Sequence, residues 1–284
     1  MRFICICQFF AVPLHAICVQ NTTQDMKTVV ITGGSSGIGK ATAELFAEKG
    51  WRVFEWSRSG QSTDMITHIP CDVTKPEETK AAVKQVLAQV DHIDVFISNA
   101  GFGISGAVEF TTPEDAHRQM EVNFFGALNS VQAVLPHMRE RKAGRIIFTS
   151  SVAAILSIPY QRFYSASKAA INALALALQN EVREFGIYVS VLMPGDVSTG
   201  FTAARKKSEE GMNAYGQIHK AVAIMEKDEQ GGMSPRKMAQ QLYRIATLRC
   251  PAPQYIGGFH YAFLCFLERL LPKRLVNWIV AKNY

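Results

Sequence analysis

Short apolar runs alternate with longer segments of helical periodicity along most of the chain. The apolar runs predict buried strands, which are Val29–Thr32, Arg52–Trp56, a strand that ends at Pro70–Val73, Ile93–Ser98, Gly144–Ser150 and Ile187–Met193. The periodic segments between them predict helices, which are Gly39–Lys49, Lys75–Val90, Pro113–Arg139 and Phe163–Phe185. This regular alternation predicts an α/β fold in which a doubly wound parallel sheet carries helices on both faces.

Residues 1–25 do not fit this alternation. An apolar run follows Arg2, and Pro13 interrupts it before it reaches the roughly 20 residues that a membrane-spanning helix needs. The first predicted strand begins directly after Met26. These residues are therefore predicted to be an N-terminal extension that is either structurally idle or a signal or anchor. The main domain is predicted to cover residues 26–258.

The segment Thr199–Met233 also departs from the alternation. It is polar, contains the basic run Arg205–Lys207 and carries several glycines. Such a composition predicts a mobile substrate loop at about 199–233 rather than a core element. A helical pattern resumes at Pro235, with Ser234 as the predicted N-cap.

Residues 259–284 form a tail of apolar residues interleaved with basic ones such as Arg274 and Lys282. Pro272 predicts a break into two short helices. Amphipathic helices of this kind suit either the surface of an anionic membrane or a lid over a substrate pocket. Both alternatives favour a hydrophobic substrate.

Composition narrows the classes of function. The 284 residues are 48% hydrophobic and 19% charged, with a formal net charge of +6. This mild basic excess fits phosphate-bearing ligands or an anionic membrane surface. The chain has no dense basic tract with interleaved aromatic residues, which argues against nucleic acid as a partner. Its cysteines lack paired metal-ligand spacing, so we expect reduced thiols in a cytoplasmic protein and no metal site.

A glycine-rich turn follows the first predicted strand. Its sequence is Thr32-Gly33-Gly34-Ser35-Ser36-Gly37-Ile38-Gly39. Small residues let the backbone approach a pyrophosphate, and the N-terminus of the following helix favours negative charge. The spacing is not the commoner Gly-x-Gly-x-x-Gly, but its position between a strand and a helix predicts a nucleotide site.

A tyrosine and a lysine share one face of a later predicted helix. Tyr164 and Lys168 are four residues apart, which places the lysine charge near the phenol. A nearby cation favours the ionised phenol, so we expect the pKa of Tyr164 to lie below its ordinary value of about 10. An acid/base group beside a nucleotide site predicts hydride-transfer chemistry.

In combination, these motifs resemble those of the classical short-chain dehydrogenases/reductases over roughly Lys27 to Gly258. The matching motifs occur in the family's order and are the glycine turn, Asp72-Val73, Asn99-Ala100-Gly101, Asn123, Ser151, Tyr164 with Lys168, and Pro194-Gly195 with Thr199. The resemblance implies a single Rossmann-like domain. The interval to Tyr164 also matches the family and selects Ser151 rather than Ser150 as the catalytic serine.

The resemblance implies a role for each matching residue. Tyr164 would be the general acid/base, Ser151 would hold the substrate oxygen, and Lys168 would bind the nicotinamide ribose. Asn123 would support a water molecule that links Lys168 to solvent. The implied cofactor-binding residues are Gly33, Ser35, Ser36, Gly37, Ile38, Gly39, Arg58, Asp72, Val73, Asn99, Ala100, Gly101, Tyr164, Lys168, Pro194, Gly195, Val197 and Thr199.

The end of the second predicted strand bears on the choice of cofactor. In NAD-preferring relatives an acid stands where this chain has Ser57, and here Arg58 follows. Arginine suits a 2′-phosphate through its charge and its forked donors, so NADP(H) is expected rather than NAD(H). Glu55 is an alternative partner for the ribose if the strand register differs by two residues. Asp72 would meet the adenine amino group by the same resemblance.

The expected function is that of an NADP(H)-dependent oxidoreductase that interconverts a ketone and a secondary alcohol on a steroid or lipid-like substrate. A 3-oxoacyl reductase of fatty-acid synthesis is an alternative that the C-terminal tail disfavours. A non-catalytic NADP-sensing regulator is another, and intact Ser151, Tyr164 and Lys168 disfavour it. The expected partners are a small hydrophobic ketone or alcohol and further copies in a homo-oligomer, with peripheral membrane contact through the tail as an alternative to a purely cytoplasmic location.

Overall fold

The computed structural model of the protein describes residues 26–207 and 214–283. The predicted N-terminal extension at 1–25 lies outside the described residues.

Strands and helices alternate through the described residues. In chain order they are β1 (Thr28–Thr32), α1 (Gly37–Glu48), β2 (Arg52–Ser57), β3 (Ile66–Pro70), α2 (Pro76–Leu87), β4 (Val95–Ser98), β5 (Ile104–Ser105), α3 (Pro113–Met120), α4 (Gly126–Arg141), β6 (Gly144–Thr149), α5 (Arg162–Glu181), β7 (Ile187–Pro194), α6 (Phe201–Ala204), β8 (Lys206–Lys207), α7 (Ile218–Gln230), α8 (Pro235–Thr247), β9 (Gln254–Gly257), α9 (Phe259–Leu270) and α10 (Lys273–Asn283). Every strand and helix of the predicted alternation is present, with small shifts at its ends.

The central sheet has seven strands in the order β3-β2-β1-β4-β6-β7-β9. All neighbouring strands are parallel, as in the pairing of Val29 in β1 with Val53 in β2 and Val95 in β4. The chain adds strands outward from β1 on one side and then returns to add β4 on the other. The predicted doubly wound α/β fold is confirmed, and the carboxyl ends of β1 and β4 form the crevice where such sheets bind ligands.

Apolar side chains fill both faces of the sheet. Successive residues of β1 point to opposite faces, so Val29 and Ile31 pack with Phe46 of α1, whereas Val30 belongs to a second core cluster that includes Ile171 of α5. Strands buried on both faces need nearly continuous apolar sequence. The short β-branched runs that predicted the strands are a consequence of this double burial.

The segment predicted as a polar loop contains a substantial helix. Three residues of α7, namely Ile218, Ala221 and Met225, are buried, whereas its C-terminal half is mostly charged. Their spacing places them on one narrow face, which packs inward. The expectation that this segment contributes no core element was therefore wrong for α7, because a helix needs only one such face to pack.

The C-terminal tail forms two helices, as Pro272 predicts, with α9 ending at Leu270 and α10 beginning at Lys273. Cys265 and Glu268 of α9 are buried against the domain, whereas no residue of α10 is buried. Among the described residues, no helix has the length and apolar character required to cross a membrane.

Candidate active site

The glycine turn brings its backbone close to two neighbouring strands. Gly33 has a φ of +68° and Gly37 a φ of +53°, a left-handed conformation that glycine adopts without strain. The Gly33 N–H donates to the Trp56 carbonyl at 2.7 Å. A Cβ on Gly39 would overlap the carbonyl of Gly33 and crowd the amide of Asn99. The turn therefore presents open backbone at the N-terminus of α1, the place where a pyrophosphate binds.

Asn99 ties the end of β4 to this turn. Its side-chain amide donates to the carbonyls of Thr32 and Gly33 at 3.2 and 3.3 Å. The Thr32 hydroxyl in turn accepts from the backbone N–H groups of Asn99 and Ala100 at 2.9 and 3.0 Å. Side-chain hydrogen bonds thus tie the carboxyl ends of β1 and β4 together. The sequence does not indicate this role of Thr32, apart from its place before the glycines.

Two adjoining cavities follow the carboxyl edge of the sheet, with volumes of about 250 and 650 Å³. The smaller one is lined by Gly33, Ser36, Gly37, Ile38, Asn99, Ala100, Gly101, Ser151, Tyr164, Lys168, Pro194, Gly195, Val197 and Thr199 from the predicted set. The larger one adds Ser35, Arg58, Asp72 and Val73. Of the predicted site residues only Gly39 and Asn123 line neither cavity, because both are buried behind the walls.

Tyr164, Ser151 and Lys168 meet inside the smaller cavity. Tyr164 stacks on Phe201, with ring centroids 5.6 Å apart, and the Lys168 ammonium lies 5.8 Å from the Tyr164 ring centroid. Lys168 donates a hydrogen bond to the Thr149 carbonyl at 2.9 Å. The neighbouring Ser150 hydroxyl donates to the Lys168 carbonyl at 3.0 Å and so holds α5 against β6.

Burial is the main cause of the pKa shifts of Tyr164 and Lys168. It raises the pKa of Tyr164 to about 12, while the nearby Ser151 hydroxyl acts in the opposite direction. Burial also lowers the pKa of Lys168 to about 8. The expectation that Lys168 brings the pKa of Tyr164 below its ordinary value was wrong, because loss of solvent outweighs a cation directed at the Thr149 carbonyl. Tyr164 is therefore a protonated phenol near neutral pH and can serve as a proton donor.

Asn123 lies in a turn of π-helix, Glu121–Phe125, that joins α3 to α4. Its side-chain oxygen accepts from the Phe102 N–H at 3.0 Å, and its amide donates to the Ser167 hydroxyl at 3.1 Å. A Cβ on Gly101 would lie 3.2 Å from the Asn123 oxygen and 3.5 Å from the Lys168 nitrogen. The structure thus places Asn123 and Lys168 beside the same backbone glycine, and the predicted water relay stays a prediction.

The residues that bear on the choice between NAD(H) and NADP(H) lie around the larger cavity. Arg58 and Ser57 line the larger cavity beside Asp72, whereas Glu55 is 2% exposed and shares a hydrogen bond with the His68 ring. Burial raises the pKa of Asp72, but hydrogen bonds from Thr74 and the charge of Arg58 outweigh it, so the net shift is downward. The carboxylate of Asp72 is therefore available as an acceptor in this cavity.

Asp196 and Tyr261 are site residues that sequence reasoning missed. Asp196 lines the smaller cavity, and the Tyr261 hydroxyl of α9 donates to its carboxylate. Burial raises the pKa of Asp196, and this hydrogen bond opposes the rise. Asp196 directly follows Pro194-Gly195, which could have drawn attention to it. Tyr261 lies 65 residues further along the chain, and no local pattern marks it.

Comparisons with known proteins agree with this geometry. A sequence model of the family described as short chain dehydrogenase matches residues 27–210. The chain belongs to the short-chain dehydrogenase family. It is 40% identical over 227 residues to a protein of Bacteroides thetaiotaomicron named 3-ketodihydrosphingosine reductase, which covers 78% of this chain and 84% of that protein. It is 31% identical over 231 residues to the dehydrogenase/reductase SDR family member 7B of Bos taurus, covering 75% and 68%.

A solved structure extends the likeness to the whole fold. A short-chain dehydrogenase from Streptomyces avermitilis superimposes with a TM-score of 0.79 at 29% identity, and the match covers 92% of this chain and 98% of that one. Family membership confirms the expected enzyme class, because these proteins are oxidoreductases that act on CH–OH groups with a nicotinamide cofactor. The left-handed glycines at the N-terminus of α1 and the open crevice beside them fit such a cofactor.

Proposed function

We propose that this protein is an NADP(H)-dependent oxidoreductase that interconverts a ketone and a secondary alcohol on a long-chain, lipid-like substrate. The observation that carries the proposal is the convergence of Ser151, Tyr164 and Lys168 in one cavity with the glycine turn. Acid/base and hydride chemistry must meet at a single carbon, and only such a convergence allows it.

Each polar side chain of this cavity has a distinct task in the proposed reaction. Tyr164 donates its proton to the carbonyl oxygen during reduction, and Ser151 hydrogen-bonds the same oxygen. The bound nicotinamide supplies or accepts the hydride. The positive charge of Lys168 stabilises the phenolate that remains on Tyr164 after proton transfer. Gly33 and Gly37 would hold the pyrophosphate, and the backbone around Val197 and Thr199 would hold the nicotinamide amide.

The preference for NADP(H) rests on the side chains at the end of β2. Arg58 is the cationic side chain in the larger cavity nearest to Ser57, and it is followed by a short loop that leaves it accessible. Glu55 is enclosed, because a Cβ on Gly34 or Gly60 would meet its side chain. A carboxylate that is covered and paired with His68 is poorly placed to bind ribose hydroxyls. These contacts favour a 2′-phosphate at this position.

A long-chain keto lipid is the substrate class that the apolar walls and the relatives favour. Val152, Ile158, Phe201 and Met225 line the cavity around Tyr164. The Bacteroides relative is named for the reduction of 3-ketodihydrosphingosine, a long-chain ketone. We therefore rank such lipids above steroids and above the acyl thioesters of a 3-oxoacyl reductase.

Peripheral membrane contact through the tail is a further part of this proposal. Large apolar side chains on the outer faces of α9 and α10 are exposed, and they are Phe259, Phe263, Phe266, Leu270 and Trp278. We call these five residues the outer apolar surface. Exposed basic residues flank it at Arg269, Arg274 and Lys282. Exposed large apolar side chains on amphipathic helices, together with basic residues, are typical of proteins that bind anionic membranes.

Replacement of Tyr164 by Phe tests the proposed chemistry. Tyr164→Phe should lower the turnover of a long-chain ketone by about 10²–10⁴-fold, because only the proton donor is lost. NADPH affinity, measured by quenching of protein fluorescence, should change little. Tyr243→Phe is the matched control, since Tyr243 packs on Phe46 and Trp51 away from the cavity. Near-normal turnover by Tyr164→Phe would refute the assigned role.

A further inference from the structure

A third cavity lies between the main domain and the two C-terminal helices. Its volume is about 920 Å³, within the roughly 300–1,000 Å³ typical of small-molecule sites. Its walls come from α7, α9 and α10, and their apolar members include Ile224, Leu264, Leu267, Val276, Ile279 and Val280. We call it the tail cavity. Its size exceeds that of the cavity around Tyr164 severalfold.

The tail cavity adjoins the candidate active site. Val152, Ile158 and Asp196 line both cavities. The junction is held by α9, because the Tyr261 ring packs on Gly195 so closely that a Cβ there would overlap the ring. The Tyr261 hydroxyl donates to Asp196 at the same place. The tail cavity therefore lies directly beside the cavity around Tyr164, with Tyr261 and Asp196 at their junction.

Apolar side chains in the wall of the tail cavity are partly exposed. Leu264 remains 37% exposed and Ile279 38% exposed, although both face the cavity. Covering such side chains is favourable in proportion to the apolar area that leaves water. Charged groups, including Lys227, Asp228 and Lys237, lie on the α7–α8 side of the cavity. The apolar wall formed by α9 and α10 is the part of the lining that suits a flexible alkyl chain.

We propose that the tail cavity binds the alkyl chain of the ketone substrate and so sets the preference for chain length. This inference rests on the proposed function, since it assumes that a ketone reacts at Tyr164. The two cavities are adjacent and share three lining residues, which favours the substrate's own chain as the occupant. The outer apolar surface lies on other residues of the same two helices and is not part of this cavity.

A series of straight-chain 3-keto compounds, from roughly six to roughly eighteen carbons, tests the assignment with NADPH as reductant. In the unaltered protein, KM should fall by about threefold for each added methylene until the cavity is filled. Val280→Trp should fill part of the cavity, raise KM for the longest chains by at least about tenfold and leave the shortest chains unaffected. Leu267→Trp, on the opposite wall, should do the same.

The matched control is Ala281→Trp, which adds the same side chain one residue further along α10, at an exposed position outside the cavity lining. It should leave the chain-length series unchanged. A KM that is independent of chain length in the unaltered protein would overturn the inference and leave the cavity to another occupant, such as residues 1–25 or a second copy of the chain. Equal effects of Val280→Trp and Leu267→Trp on short and long chains would also overturn it. Failure to reduce any ketone would refute the proposed function itself, so the two failures are distinguishable.

Discussion

Arg58 faces the crevice at the carboxyl end of β2, one residue beyond Ser57 and close enough to Asp72 to lower the pKa of that carboxyl. We expect Arg58→Ala to weaken NADPH binding much more than NADH binding. A hydrogen bond to a charged group contributes about 1.5–3 kcal/mol, which corresponds to about tenfold to a hundredfold in affinity. Fluorescence titration with both cofactors measures the two losses.

Arg249→Ala serves as the control for this change, because Arg249 is exposed and outside the crevice. Equal losses of NADPH and NADH affinity in Arg58→Ala would contradict the assignment and point to Glu55 as the ribose partner.

Titration of Lys168 should determine how kcat/KM for ketone reduction falls at high pH. Its pKa is lowered to about 8 by burial, whereas burial raises the pKa of Tyr164 to about 12. A lysine is charged below its pKa, so the charge that stabilises the Tyr164 phenolate is present below about pH 8 and is lost above it. We therefore expect kcat/KM for ketone reduction to fall as the pH rises through about 8, well before Tyr164 ionises.

Comparison with Lys168→Arg checks this prediction. A guanidinium stays charged throughout the range, so the fall should move to higher pH in the variant. A profile that keeps the same midpoint in Lys168→Arg would show that another group titrates. The direction of these pKa shifts could not be foreseen from the four-residue spacing, because burial depends on the elements that pack over α5.

The turn between β1 and α1 shows how closely the elements of the crevice approach each other. A Cβ on Gly39 would overlap the Gly33 carbonyl. We expect Gly39→Ala to lower the free energy of unfolding by about 1–3 kcal/mol, because a methyl group forces the packed backbone apart. NADPH affinity should fall with it. Thermal unfolding and cofactor titration measure both effects.

Gly216→Ala offers a control, since no atom lies within 4 Å of a Cβ placed there and Gly216 lines neither cavity of the crevice. A stable Gly39→Ala variant with normal cofactor affinity would show that the turn can adjust.

Elements differ in how well the sequence alone predicts them. Strands such as β1 and β7 are buried on both faces, and their continuous apolar runs identify them. The edge strand β9 (Gln254–Gly257) pairs only with β7 and is short and only partly buried, so no such run marks it. The helix α7 was missed because three apolar residues suffice to anchor it. Sequence periodicity thus predicts the elements in the interior of the domain. It fails for peripheral elements such as β9 and α7, whose packing partners come from distant parts of the chain.

At the scale of the whole molecule, the two alternatives for the C-terminal tail are not exclusive. The inner faces of α9 and α10 line the tail cavity, as a lid would, while the outer apolar surface is exposed. Truncation of both helices would remove the two features together and could not separate them. Substitutions on the outer faces alone can do so.

We expect the double variant Phe266→Ser, Trp278→Ser to bind vesicles of phosphatidylcholine and phosphatidylserine at least about tenfold more weakly than the unaltered protein. Both side chains are more than half exposed and neither lines the tail cavity. Binding of the unaltered protein should require the anionic lipid and weaken with salt, because basic residues border the surface. Sedimentation with vesicles measures the bound fraction.

Leu176→Ser, at an exposed position of α5, is the control for loss of a surface apolar side chain. KM for a short-chain ketone should stay the same in both variants. Equal sedimentation of the double variant and the unaltered protein would refute membrane binding through the outer apolar surface.

The contact between Tyr261 and Gly195 has a consequence for how the protein folds during its synthesis on the ribosome. Synthesis proceeds from the N-terminus, so β1 to β7 and the residues around Tyr164 emerge before β9 and α9 do. Until then β7 lacks its partner on the side that β9 occupies, and Asp196 lacks the hydrogen bond from Tyr261. A nascent chain therefore exposes one edge of β7 until β9 has been made. This interval is where a chaperone would be needed most, and C-terminally shortened chains should be the ones that aggregate.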